Sequence, residues 1–362
     1  MYLAGTGWRW CLATPRRLSH DPGAWLVNEA SVIGLLEATV SFGALLYLAA
    51  LGEMITEKAG ILNLGVEGMM AMGAVTGFVV ALHTGNPWVA LAGAVAAGAA
   101  VALLHGLFTV VMGADQVVSG LSLTILGIGL AAYLGKGSVG RPSGAELSSV
   151  DWGPLSDVPW LGPVLFQQSP FVYLAVVAGV MAWFVLGRTR LGLALRAAGE
   201  SASTADAAGH SVAGLRLGAV ATGGALAGTS GAYLTLSLTP QWAEGIVAGR
   251  GWIAVALVIF GAWRPGRVAL GALLFGLTLA LKRPPVRRST SPFLRPVSES
   301  EWSDISWTNS GFDKEAETSL PTLANMRPSW CALMSLTPSA AIIARISSSS
   351  TVPELSTSSA VK

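Results

Sequence analysis

Six stretches of this chain, 32–51, 61–82, 88–112, 117–134, 171–187 and 217–239, are mostly apolar and nearly free of charge. Each approaches the roughly 20 residues that a helix needs to cross the hydrocarbon core of a bilayer. No water reaches that core to bond a free amide, so a crossing segment must satisfy its own backbone, and within one segment the α-helix does so. The runs therefore predict an all-α membrane protein, a multi-span helical bundle. A seventh stretch, 252–281, is interrupted by Trp263-Arg264-Pro265-Gly266-Arg267, and its halves 252–262 and 268–281 are each too short to span comfortably. Interrupted segments of this kind suit transport proteins, where non-helical backbone survives only inside protein or beside a wet cavity.

Charged residues make up 12% of the chain, against about 25% in soluble domains, too few for a water-facing surface. A net charge of +2 gives no footing for nucleic acid. Cys11 and Cys331 lie far apart and offer neither a disulfide framework nor a metal spacing, and no metal or cofactor is expected. Gly135-Lys136-Gly137 lacks the earlier glycine and the hydroxyl residue of an ATP-binding loop, so no ATPase site of its own is predicted. Gly127-Ile128-Gly129-Leu130-Ala131-Ala132 fits a dinucleotide pattern by letters alone and reads as small-residue packing, as do Gly224-x-x-x-Gly228 and Gly223-x-x-x-Ala227-x-x-x-Gly231.

Arg188, Arg190, Arg196 and Arg216 place the segment 188–216 in the cytoplasm. The segment 135–170, with Lys136 and Arg141 against Glu146, Asp151 and Asp157 and with the interface-suited Trp152 and Trp160, is expected outside. Counting back through four spans then puts the N-terminus outside, against its own arginines. One of the four is therefore expected not to cross, and residues 60–68, where glycines, Asn63 and Glu67 interrupt the apolar run, are the suspect. Residues 1–31 read as a non-membrane preamble, 32–281 as the membrane domain, and 283–362, with 18 serines, as a disordered or aberrant polar tail.

Asn63 and Glu67 are four apart, on one face if the segment is helical. A carboxylate at membrane depth costs about 2.5–3.5 kcal/mol and needs a partner or water. The pair reads either as lining of a translocation path or as a buried hydrogen bond that fixes a helix break. Gln116 and Ser119 follow Asp115 at a helix entrance and either face the path or sit beside a capping aspartate. Glu244 and Arg250, near Trp242, either pair across a turn on the path or belong to an exposed loop. The segment 191–212 is rich in alanine, reads as a short helix stopped by Gly209, and has no core to fill, so its use is to dock a partner.

The stretch LGLALRAAGESASTADAAGHSV resembles the coupling loop of ABC-importer permeases. GEMITEKAGILNLGVEGMMAMGA (52–74), ADQVVSGLSLTILGIGLAAYL (114–134) and AGRGWIAVALVIFGAWRPGRVALGALLFG (248–276) resemble the nucleoside and simple-sugar permeases served by basic-membrane-type lipoprotein binding proteins. The resemblance covers 32–281 and implies the fold of the ribose and branched-chain amino-acid permeases. It also implies a cytoplasmic ATPase subunit, a second homologous permease, an extracytoplasmic substrate-binding lipoprotein and a multi-pass place in the plasma or inner membrane, among its lipids. On that footing Arg196, Glu200, Ala205, Asp206 and Gly209 belong to ATPase docking, and Asn63, Glu67, Gln116, Ser119, Glu244 and Arg250 to the path. The alternatives are an ion-coupled secondary transporter and a non-transporting remnant.

Overall fold

The structure, a computed structural model, describes residues 29–282. The expected preamble up to residue 28 and the expected tail over 283–362 lie outside the described residues. Within them the chain forms ten α-helices and no strand. These are α1 (Glu29–Lys58), α2 (Val66–Thr84), α3 (Pro87–Gly106), α4 (Gln116–Gly135), α5 (Pro170–Arg188), α6 (Arg190–Glu200), α7 (Ala202–Ala207), α8 (Val212–Tyr233), α9 (Arg250–Phe260) and α10 (Pro265–Leu281). Helices α3 and α8 each run on through a π-helical turn, Leu107–Val111 and Leu234–Leu238. Among the described residues five segments are long and apolar enough to cross a membrane: Val32–Lys58, Val66–Thr84, Pro87–Val111, Gln116–Ser138 and Pro170–Arg188.

The starts of the helices follow local chemistry. Asn86 and Asp115 cap α3 and α4, their side chains accepting from Trp88 and Val118 N–H, which settles Asp115 as a cap. Thr189, Ser201 and Ser211 cap α6, α7 and α8 in the same way. Helix α1 continues past residue 51 to Lys58, because Gly52–Lys58 packs inside protein and not in lipid: Glu53 and Thr56 are buried.

Helix α8 is at the centre, against α1, α2 and α3. Its length is ample, but its face is small and polar rather than strongly apolar, and it is covered by other helices. A Cβ on Gly224 would lie 2.5 Å from the Gly98 carbonyl oxygen of α3, and one on Gly52 of α1 would lie 2.5 Å from that of Gly223. Between helices in lipid the hydrophobic effect supplies little, so such close backbone approach, with its dispersion and hydrogen bonds, is what holds them. Ser230 adds a 2.7 Å bond to the Leu45 carbonyl and Thr235 a 2.9 Å bond to that of Ala74.

Side-chain pairings set the directions. Gly52 meets Gly223 and Leu45 meets Ser230, so α1 and α8 are antiparallel; Gly43 meets Leu273 and Gly276 meets Thr39, so α1 and α10 are antiparallel. Lys58 and Gly60 lie against Gly199, in the arginine-bearing segment 188–216, which marks one end of the bundle. Ser41, in the other half of α1, donates to Gln168 at 2.9 Å, so the N-terminal half of α1 leads toward the end that holds 136–169. Helix α2 leads back from the arginine end: Gly73 meets Gly228 and Gly77 meets Ala232, so α2 is parallel to α8 and antiparallel to α1. The expected non-crossing segment at 60–68 is not found: residues 59–65 are unwound, but α2 then runs its 19 residues to the loop end.

The broken crossing lies elsewhere. After Leu238 the chain returns inward as non-helical backbone over 239–249, pinned at the loop end by Trp242, which is buried against Gly135, and by the bridges of Val139 with Trp242 and Pro142 with Gln241. Helix α9 begins beside Glu67 and ends by Trp263, whose indole N–H donates to Glu57 near the end of α1. The interruption at 263–267 is therefore the turn between a half-helix that completes one passage and α10, which makes the next alone.

Candidate functional site

Three helix ends meet near the arginine end of the bundle: the C-terminus of α1 and the N-termini of α2 and α4. The stretch 59–65 between α1 and α2 is not helical: the Ala59, Gly60 and Ile61 N–H groups close onto the last carbonyls of α1, and side chains from around it take up further peptide groups. Gln116 Oε1 accepts the Leu62 N–H at 2.8 Å and its amide donates to the Gly60 carbonyl at 3.4 Å. Glu53 Oε1 accepts the Asn63 N–H at 2.9 Å. His105 Nε2 donates to the Leu62 carbonyl at 3.2 Å, and in that tautomer Nδ1 accepts the Ser119 hydroxyl at 3.0 Å. Thr124 donates to the Leu64 carbonyl at 2.8 Å, and Asn63 Oδ1 accepts the Gly65 N–H at 3.0 Å. An unpaired peptide group in an apolar interior loses a bond worth several kcal/mol, so this set of partners is what lets the backbone leave the helix there.

Asn63 and Glu67 do not share a helix face, because Asn63 lies in the unwound stretch and Glu67 in the first turn of α2. Glu67 is 4% exposed, and its carboxylate is engaged by the start of α9: Oε1 accepts the Gly249 N–H at 2.7 Å and Oε2 the Gly251 N–H at 2.6 Å. One anion thus serves two helix N-termini, its own and that of α9. Free N–H groups and the helix dipole both favour negative charge there, by up to about 2 kcal/mol in buried geometries. Gly249 holds φ +81 at the N-cap, a conformation open to glycine, and a Cβ on Gly251 would sit 2.6 Å from Glu67 N. Arg250 closes the same turn, its Nη1 donating to the carbonyls of Ile246 at 2.6 Å and Val247 at 2.9 Å, while Glu244 is exposed further back in the segment. Asn63, Glu67, Gln116 and Ser119 are therefore brought together around one backbone break, with Arg250 at its edge.

Beyond α5 the expected single helix over 191–212 is two, α6 and α7, broken at Ser201, which ends the first and caps the second. Together they form an elbow. Gly192, Ala194, Leu195 and Ala198 of α6 face the bundle, and Ala205 of α7, 1% exposed, is covered by the chain itself, so it anchors the elbow instead of facing outward. Arg196 is half-buried, its Nε on the Gly192 carbonyl at 3.3 Å. Glu200, Asp206 and Gly209 are exposed together, and Gly209, at φ +82, turns the chain toward α8.

Elbow and break are tied by a residue that the sequence reading did not single out. Arg216 of α8 donates from Nε to the Ala59 carbonyl, just past α1, and from Nη2 to the Ala198 carbonyl near the end of α6, both at 3.2 Å. Glu53, His105 and Thr124 were missed as well. For His105 a signal existed: an ionisable residue inside the apolar run 88–112 asks for a partner. Arg216 carried none, since its arginine counts equally as a cytoplasmic loop charge.

Residues 35–290 match the family described as branched-chain amino acid transport system / permease component. The chain is 44% identical over 254 residues to a putative glucose ABC transporter permease protein of Haloferax volcanii, covering 69% of this chain and 77% of that one. It is 31% identical to a guanosine ABC transporter permease protein of Bacillus subtilis, over 71% of this chain and 83% of the relative. To a nucleoside ABC transporter permease protein of Lactococcus lactis it is 32% identical, over 69% and 84%. No solved structure matches the chain.

Proposed function

The chain belongs to the family of branched-chain amino acid transport system permease components, and on that premise we propose that it carries nucleosides or simple sugars inward as the membrane subunit of an ABC importer. It is a multi-pass membrane protein of transport-subunit type. The similarity to permeases named for glucose, guanosine and nucleosides supports that substrate range over the branched-chain amino acids of the family's name. In this reading the protein lies in the plasma or inner membrane, with a cytoplasmic ATPase subunit, a second homologous permease and an extracytoplasmic binding lipoprotein as partners.

One observation carries the mechanism: Arg216 holds the Ala198 carbonyl of the elbow and the Ala59 carbonyl of the unwound stretch at once. The exposed Glu200, Asp206 and Gly209 give the ATPase its contact. A shift of the elbow on ATP binding is passed through Arg216 to residues 59–65, which are not helical and so resist it less. From there it reaches Gln116 at the start of α4 and Glu67 at the starts of α2 and α9, so the helices that flank the path reorient together. Each state then needs its own contacts with nucleotide and substrate.

The test is uptake of labelled guanosine and glucose into vesicles holding the complete system. Uptake is expected to need ATP. Arg216→Gln should keep the ATPase bound while hydrolysis no longer drives uptake. Uptake that ignores ATP but collapses with the proton gradient would sink the reading.

A further inference from the structure

A groove of about 430 Å³ runs between α5, α6 and α8 and serves none of the roles above. Its walls are apolar, Met181 and Val185 on one side and Leu226 on another, with Gly218 on the floor and Leu191 and Leu195 of α6 across its arginine end. A Cβ on Gly218 would meet nothing within 4 Å. Glycine in an exposed helix is disfavoured against alanine, so that bare floor serves no packing within the chain.

On α8 the groove extends from Gly214 to Leu226, about 18 Å at the helical rise. Its apolar lining suits a hydrocarbon chain, and the charge beside it says which kind: between the lining residues Leu186 and Leu191 stand Arg188 and Arg190, both exposed, with the Arg188 guanidinium 5.6 Å from the ring centre of the exposed Trp183. Leu191 and Leu193 of α6 are 54% and 61% exposed beside them, the pattern of a helix lying at the membrane surface.

We propose that the groove binds one membrane phospholipid with an anionic headgroup, an acyl chain along Gly218 and the phosphate on Arg188 and Arg190. Native mass spectrometry of the full chain, taken from vesicles of phosphatidylglycerol or of phosphatidylcholine, tests this. The unaltered chain should retain phosphatidylglycerol with a roughly tenfold to thirtyfold preference, the effect of two basic residues at an anionic surface. Arg188→Gln with Arg190→Gln should abolish that preference. Gly218→Leu, which fills the floor, should release both lipids with the helical circular dichroism unchanged. Equal retention of the two lipids by the unaltered chain, or an undiminished preference in the double variant, overturns the proposal. So does Gly218→Leu if it leaves retention intact, or if it splits a larger assembly without touching lipid, since the occupant is then a helix of another subunit.

Discussion

The unwound stretch 59–65 and the elbow of α6 and α7 are neighbours, tied by one arginine, yet they use polar residues in opposite ways. In the first, Asn63, Gln116, Glu53 and Thr124 all turn inward and spend their oxygens and amides on backbone. In the second, alanines and leucine face the bundle and Glu200 and Asp206 face out. The difference is access to water. At membrane depth a peptide group that leaves the helix has no solvent to bond, so nearby polar side chains are needed as its partners. At the bundle's end the medium supplies those bonds, and polar side chains are free to meet another protein.

The sharpest way to break the contrast is Glu67→Leu. It leaves the buried N–H groups of Gly249 and Gly251 without their acceptor, at roughly 1–3 kcal/mol each. The midpoint of thermal unfolding in detergent should fall more than for any elbow variant, and Glu67→Gln, which keeps acceptor capacity on one oxygen only, should fall between. An unaltered midpoint in Glu67→Leu would show that α9 does not depend on the carboxylate.

A middle-sized effect is expected from Gln116→Leu. The Leu62 N–H loses its partner, for about 1–3 kcal/mol, and the loss is confined to the unwound stretch. Hydrogen exchange at residues 60–65 should quicken while α8 stays protected. Uniform quickening along the chain would mean the stretch unfolds with the bundle and is not a local joint.

The smallest effect on stability belongs to Asp206→Arg, an exposed change expected to stay within about 0.5 kcal/mol. Its consequence should appear only in company: co-purification with the ATPase subunit should drop and uptake should stop. Asp206 is the cleaner probe than Gly209, because any side chain at φ +82 adds backbone strain of its own. Normal ATPase binding by Asp206→Arg would erase the contrast from the elbow's side.

Several features were determined by the sequence alone. Apolar runs of bilayer length allow only helices, so the bundle, most helix bounds to within a few residues, and the glycine contacts of α8 were readable before any coordinates. The same holds for the arginine-rich end and for the cap Asp115, since a cap depends on neighbours within a turn. The tertiary structure alone decided where the backbone breaks matter. Glu67 lies 182 residues from the Gly249 amide it holds, and Arg216 lies 157 from the Ala59 carbonyl. Charge counting expected a segment at 60–68 that does not cross; the chain is unwound there over 59–65, and the packing shows a second irregular passage over 239–260. Hydropathy records how apolar a residue is, whereas a crossing made half of extended chain and half of helix survives because distant side chains take up its free peptide groups, and sequence spacing does not encode those long-range pairings.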